Sequence, residues 1–371
     1  MSFSYMFRRL RTVSAAVPLS LLLAMAVGCA RFKHETHEMV YVSAAHPVFL
    51  HDRVAAVSNR VGQVSNGQAL EVLERSKRFV KVKTENNEIG WIEERAVIDA
   101  KIYDSFAQMA QKHKDDPVAA SATLRDDMAM HLKPGRDTER FYLLAGNSKV
   151  SLLSRASVVK KTTAEAAALQ ASGAAPTAPD MEDWWLIRDT QGRVGWLLGK
   201  GLDVDVPDEV AQYAEGQRIV GAWILTKVTD EEATTPDHQV AEYLTVMAPP
   251  KSGLPFDYDQ VRVFTWSIKH HRYETAFRLH PIQGFLPVLL STVKTNNGTA
   301  PAFSFAIANG SDIATDPETG ITRPASLRTI HYEMLDTRVQ RIGPDMGPIP
   351  IQHEEGDKKP GDKKPAKKSK R

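Results

Sequence analysis

The sequence predicts a mainly β chain: two small, related β modules joined by a short helix, followed by a larger antiparallel β domain. Three observations carry this. Two segments repeat the same apolar blocks in the same order, a stretch between them has helical spacing, and short strand-like runs fill the C-terminal third. The first copy holds Leu70-Glu71-Val72-Leu73-Glu74-Arg75, then Phe79-Val80-Lys81-Val82-Lys83, then Ile89-Gly90-Trp91-Ile92. The second holds Val150-Ser151-Leu152-Leu153-Ser154-Arg155, then Trp184-Trp185-Leu186-Ile187-Arg188, then Val194-Gly195-Trp196-Leu197.

The early block recurs at an offset of 80 residues and the later two at 105, so the second copy carries an insertion of 25 residues. That insertion falls near 156–183, where the Ala/Thr/Pro-rich run from Thr162 to Pro179 reads as a loop extension. Each block alternates apolar and polar residues, the mark of a half-buried strand. Asn86-Asn87 and Gln191-Gly192 are the turn signals before each final block. Gly ahead of Trp fits a strand in which the missing side chain relieves crowding beside a large indole.

These blocks resemble bacterial SH3-like (SH3b) domains, whose usual pattern ends in Gly-Trp followed by an aliphatic residue. Leu132-Lys133-Pro134-Gly135 matches the early turn of that pattern, whereas Leu50-His51-Asp52-Arg53 departs from it. The resemblance covers roughly 40–100 and 122–205 and implies two small SH3-like barrels. Between them, Ile102, Phe106, Met109 and Ala110 recur at helical spacing before Pro117, which places a short amphipathic helix in a linker at 101–121. The order of elements is also similar to that of exported lipoproteins with two SH3-like copies.

Residues 216–345 read as an antiparallel β barrel or sandwich. Val240–Met247, Val261–Lys269, Arg272–Leu279, Phe285–Leu290, Ala302–Ala308 and Thr329–Leu335 are the expected strands. The run from Val261 to Ile268 alternates strictly, with Phe264, Trp266 and Ile268 on one face and His270-His271 at the following turn.

The chain begins with Arg8, Arg9 and Arg11 and an apolar run from Val13 to Val27, the pattern of a secretory signal over 1–28. It ends in Ala26-Val27-Gly28-Cys29, which resembles the bacterial lipobox, with Ala rather than the commoner Leu three positions before the cysteine. The resemblance implies lipidation of Cys29, and more than one acyl chain suffices for lasting membrane attachment. A polar tether at 29–39 follows. Its His34-Glu35 and His37 miss the zinc-protease spacing, which needs the second His four residues after the first. Ala30 after the cysteine lacks the Asp that retains some lipoproteins at the inner membrane, so the outer membrane is favoured, with the chain on the periplasmic side of the cell envelope.

With 42% hydrophobic and 25% charged residues, the composition excludes wholesale disorder and speaks against a polytopic membrane protein. The single cysteine excludes a disulfide framework and any cysteine-based metal site. Near neutrality, at +2, hides two local excesses. Removing the +4 of the Lys/Pro-rich segment 354–371 and the +3 of the signal arginines leaves −5 for the body. The tail at 346–371 has the composition of a disordered segment. Nucleic acid is a poor partner for an exported protein, and an anionic envelope surface suits the cationic tail better. The SH3-like resemblance implies peptidoglycan or an envelope protein as the partner of the modules. Nothing in the sequence fixes an oligomeric state.

Chemistry is sparse. No Gly-x-Ser-x-Gly elbow, phosphate loop or dinucleotide fingerprint is present. Lipidation of Cys29 removes the one thiol that could serve a Cys/His wall peptidase. His270, His271 and His280 with Glu274 form a conceivable metal set, but the better reading is surface histidines at a turn. Asp312, Asp316 and Glu318 miss the calcium-loop spacing and read as a polar turn. No catalytic residue, metal or cofactor is assigned. Candidates for a ligand groove are Phe49, Phe141, Tyr142, Trp184 and Trp185, with Trp91 and Trp196 assigned to the cores. Because neighbours on a strand face opposite ways, one of Trp184 and Trp185 must leave the barrel interior. The expectation is therefore a non-enzymatic, lipid-anchored envelope protein whose modules bind peptidoglycan peptides or a protein partner. A cell-wall hydrolase with its active site in 216–345, or an envelope scaffold, are the alternatives.

Overall fold

The computed structural model describes residues 38–350, apart from residue 56, residues 161–178 and residues 297 and 311. The expected signal segment, the expected lipidation site at Cys29, most of the expected tether, the middle of the insertion and residues 351–371 lie outside the described residues.

The first seven strands are β1 (Met39–Val42), β2 (Val48–His51), β3 (Arg60–Val64), β4 (Ala69–Ser76), β5 (Phe79–Lys83), β6 (Ile89–Glu93) and β7 (Val97–Asp99). They form one antiparallel sheet in the order β3-β2-β6-β5-β4-β1-β7. Alternation does what the sequence implies: Val40, Val42, Leu50, Val64, Leu70, Val80, Val82 and Ile92 turn inward and form a separate aliphatic core. Asn87 takes a φ of 62° at the β5–β6 turn, a left-handed conformation that Asn tolerates.

Helix α1 (Ala100–Lys112) follows, then β8 (Ala120–Leu124), β9 (Met128–His131), β10 (Arg140–Leu144), β11 (Lys149–Val159), β12 (Met181–Asp189), β13 (Val194–Leu198) and β14 (Leu202–Val204). Their order is β10-β9-β13-β12-β11-β8-β14, the same permutation as in the first sheet. The register repeats as well. A bulge falls between Val72 and Glu74 in one sheet and between Leu152 and Ser154 in the other. Neither sheet is hydrogen-bonded into a closed ring, so the expected barrels are open sheets. The insertion is also shorter as a loop than expected. Ala156 to Val159 pair with Trp184 to Met181 and lengthen the β11–β12 hairpin.

Gly90 and Gly195 show why the repeated Gly-Trp is needed. A Cβ on Gly90 would lie 2.7 Å from Leu50 Cβ, and one on Gly195 2.7 Å from Met130 Cβ. Both meet the second strand of their own sheet at the same place.

Helix α1 ties the two sheets together. Its Tyr103 stacks on Tyr41 at 3.7 Å between centroids, and Phe106 packs edge-on against Phe141 at 5.8 Å. Asn66 Nδ2 donates to Leu143 O at 3.0 Å across the same junction. Beyond a short helix α2 (Asp208–Ala211) come β15 (Arg218–Thr229), β16 (Gln239–Ala248), β17 (Gln260–Ser267) and β18 (Arg272–Leu279), in sequence order in one sheet. The facing sheet is built of β19 (Gly284–Thr295), β20 (Gly298–Ala308), β23 (Leu327–Leu335) and β24 (Arg338–Ile342), with β21 (Ile313–Thr315) and β22 (Thr322–Pro324) forming a separate hairpin.

Leu244, Val246, Val261 and Val263 meet Phe303, Phe305, Ile330 and Tyr332 between the two sheets, so this domain is sandwich-like. The opposite face of the β15–β18 sheet is also covered: Phe264 and Met247 pack with Val210 of α2. Ile268, expected on the face of Phe264, sits past the end of β17 and is 53% exposed. Strands β15 and β24 escape the sequence reading because neither alternates cleanly. The segment 346–350, assigned above to a disordered tail, packs back: Arg328 Nη1 donates to Pro348 O at 2.8 Å and Arg341 Nη1 to Gly347 O at 2.7 Å.

The second sheet and the sandwich share one continuous core. A buried ionic cluster fixes them further. Arg155 Nε donates to Asp257 Oδ1 at 3.1 Å, Nη1 to Asp183 Oδ1 at 3.2 Å, and Nη2 to the carbonyls of Leu254 and Phe256. Among the described residues no helix is long and apolar enough to cross a membrane.

Candidate functional site

The first sheet carries a groove across its outer surface. It comprises two adjoining depressions of about 590 and 500 Å³ that share Phe79, Glu93 and Arg95. Phe49, His51, Arg53, Ser58 and Arg60 complete one side, and Arg78 and Glu94 the other. Alternation puts these side chains outside: Phe49 and His51 flank the inward Leu50 on β2, and Phe79 precedes the inward Val80 on β5. The β2–β3 loop is closed by Asp52, whose carboxylate accepts from Asn59 N and Nδ2, both at 2.9 Å. The Asn59 backbone N–H holds that carboxyl below the usual range.

Two aromatic rings and several cations define the chemistry. The Arg60 guanidinium lies 3.9 Å from the Phe49 ring centroid, a cation–π contact that fixes it at the groove wall. Arg95 is paired with Glu93 and Arg53 with Asp52, whereas Arg60 and Arg78 have no carboxylate within ion-pair distance among the described residues. Four arginines against two glutamates leave the lining cationic. His51 Nδ1 is 2.9 Å from Ser58 Oγ, which fixes the ring.

The second sheet repeats this set and then covers it. His131 Nδ1 lies 3.0 Å from Thr138 Oγ1, each 80 positions after its counterpart, and Arg140 corresponds to Arg60 in the same way. Phe79 corresponds to Trp184, 105 positions later. Here Trp184 is 2% exposed and stands edge-on to His131 at 5.0 Å. Trp184, Leu186 and Trp196 form a cluster on the outer face that Met109 and Ala110 of α1 and Ile321 of the sandwich cover.

Four of the five expected groove residues therefore lie elsewhere. Trp185 turns into the inner core and Trp184 leaves it, as alternation requires, yet both are buried. Phe141 and Tyr142 lie under α1 with ring centroids 3.7 Å apart and planes tilted by 31°, and burial pushes the Tyr142 hydroxyl up to about 12. Side chains enclosed in this way line no open groove. Phe49 does line it. Trp196 is buried in a hydrophobic core cluster as expected, although on the outer face of its sheet, whereas Trp91 differs from expectation and is half-buried on the outer face beneath Lys81 Nζ. The sequence reading missed His51, Arg53, Arg60, Phe79 and Arg95, although the offset of 80 that pairs His51 with His131 and Ser58 with Thr138 was visible.

The C-terminal histidines do not assemble. His270 Nδ1 is 3.0 Å from Glu274 Oε1 and 3.3 Å from Ser267 Oγ, so acid and hydroxyl share one nitrogen at an exposed hairpin tip. A Ser–His–acid relay needs them on opposite nitrogens. His271 lies between Asp230 at 3.0 Å and Glu232 at 3.1 Å, and His280 faces Asp259 at 3.4 Å. Among the described residues no group of three His, Cys, Asp or Glu side chains is placed to hold a metal ion. Asp316 Oδ1 accepts from the N–H of Glu318 at 2.8 Å and so closes its own polar turn.

Nothing among curated proteins matches the chain. Among solved structures, NlpC2 from Trichomonas vaginalis is 10% identical over 82% of this chain and 96% of that chain, with a TM-score of 0.15. NlpC1 from the same organism is 11% identical over 78% and 87%, with a TM-score of 0.16. Residues 53–98, the segment that supplies Arg53, Arg60, Phe79 and Arg95 to the groove, match the bacterial SH3 domain family.

Proposed function

We propose that the chain is a non-enzymatic, lipid-anchored protein of the cell envelope whose first SH3-like module binds carboxylate-bearing peptides of peptidoglycan. The observation that carries this is the open cationic groove with Phe49 and Phe79 on its walls, whose Arg53, Arg60, Phe79 and Arg95 lie inside the segment that matches bacterial SH3 domains and whose Phe49 and His51 lie just before it. Bacterial SH3 domains commonly bind peptidoglycan, which supports a cell-wall partner. The chemistry agrees: a guanidinium fork meets a carboxylate with two parallel hydrogen bonds, and aromatic walls hold the apolar part of a short peptide. The second module repeats the strand order but, with Trp184 and Trp196 covered, serves as a brace between the first module and the sandwich. Cys29 supplies the anchor.

Cosedimentation of the mature protein with purified sacculi tests the proposal. Wild type is expected in the pellet, and Phe49→Ala and Arg60→Ala in the supernatant. Retention of both variants at the wild-type level contradicts the groove; absence of wild type from the pellet contradicts wall binding.

A further inference from the structure

The mouth of the sandwich holds a second cleft, of about 590 Å³, between β15–β16 on one side and the β19–β20 and β23–β24 turns on the other. At its floor is Glu242, which is 2% exposed. It lies on the same face of β16 as Leu244 and Val246, and so points into the apolar space between the sheets. Its Oε1 accepts the Trp266 backbone N–H at 3.0 Å. Its Oε2 accepts no hydrogen bond from any described residue.

A carboxylate so placed is under-solvated, because one backbone donor does not replace its hydration shell. Burial accordingly pushes its carboxyl up. The rest of the lining is rich in acceptors: Thr226, Asn296, Thr299 and Asp336. Lys227 is the one cation there, and it makes no ion pair with Glu242.

An alkylammonium group has three N–H donors and no acceptor. It can donate to the unused Oε2 and direct its other N–H groups to the threonine hydroxyls, while its alkyl stem faces Ala300 and Met334. From this arrangement we propose that the sandwich cleft is a binding site for a primary ammonium group on a short alkyl chain, with Glu242 as its counter-charge. The site is separate from the groove of the first module and does not rest on the wall-binding reading.

The test is a titration of the mature protein with n-butylammonium chloride, followed by amide NMR. The Trp266 N–H reports directly, since it donates to Glu242. A saturable shift of Trp266 is expected, with none from the neutral analogue N-butylacetamide and none from potassium chloride at the same ionic strength. Glu242→Gln is expected to weaken binding at least tenfold, and Lys227→Ala to leave or improve it. Should Glu242→Gln fail to fold, Asp336→Asn and Thr299→Val at the exposed rim are expected to weaken binding severalfold. No saturable shift in wild type, an equal shift from the neutral analogue, or unchanged affinity in the Glu242 or both rim variants overturns the proposal. Arg60→Glu is expected to leave this titration untouched, which separates the two sites.

Discussion

His51 and His131 occupy the same place in the two sheets, 80 positions apart, each with Nδ1 held at 2.9 or 3.0 Å by a hydroxyl seven residues on. One faces an open groove and the other lies beneath Trp184. The two sheets share one strand order, and α1 and the sandwich cover the outer face of the second.

That difference has an energetic consequence. His131→Ala removes a buried ring that is hydrogen-bonded to Thr138 and packed edge-on against Trp184, so it is expected to cost about 1–3 kcal/mol. His51→Ala, at a half-buried position, is expected to cost about 0.5 kcal/mol. Urea denaturation of the two variants checks both values.

His131 also sets a pH dependence. Burial, then the nearby Arg140, pull its pKa below the ordinary histidine value of about 6.5. The unfolded chain therefore takes up a proton that the folded chain refuses, and stability is lost as pH falls below about 6.5. Wild type is expected to lose more stability between about pH 7 and pH 5 than His131→Asn does. Equal losses in thermal unfolding would contradict the assignment.

Gly90→Ala drives a Cβ to 2.7 Å from Leu50 Cβ and 2.8 Å from Val61 Cγ2. Leu50 is fully buried and its Cβ cannot swing away, whereas Val61 is exposed and can yield, so the clash with Leu50 is expected to cost about 1–3 kcal/mol. Gly192→Ala is the comparison: its surroundings are open, and only its φ of 78° resists substitution. Thermal unfolding of the two variants ranks steric against conformational strain.

Arg155→Ala leaves Asp183 and Asp257 buried without their shared cation, and loss of one partner of a buried pair costs about 3–5 kcal/mol. Denaturation is expected to show either a lowered single transition or a split in which the second module and the sandwich part company. A loss below about 1 kcal/mol would show that the cluster contributes little. Arg75, the equivalent position in the first sheet, pairs with Glu94 at 3.1 Å on the surface, and its replacement by Ala is expected to cost less than about 1 kcal/mol.

The repeat, the helix and the six named C-terminal strands were legible because each is a local pattern of alternation or helical spacing. The fate of each outer face was not. Whether Trp196 is covered depends on α1, whose Met109 lies 87 positions before it, and on Ile321, 125 positions after it. Arg155 reads as one more polar residue at a repeat position until Asp257 arrives from 102 positions away. The groove was half legible: Phe49 stood out as an aromatic, whereas Arg60 and His51 gain meaning only once the sheet sets them beside it.

The most direct measurement compares two charge reversals at equivalent positions, Arg60→Glu in the first module and Arg140→Glu in the second, by cosedimentation with sacculi. The account predicts that Arg60→Glu abolishes retention while Arg140→Glu, once shown to be folded, retains it. Equal retention of the two, or loss confined to Arg140→Glu, would contradict the claim that the first groove is the binding site.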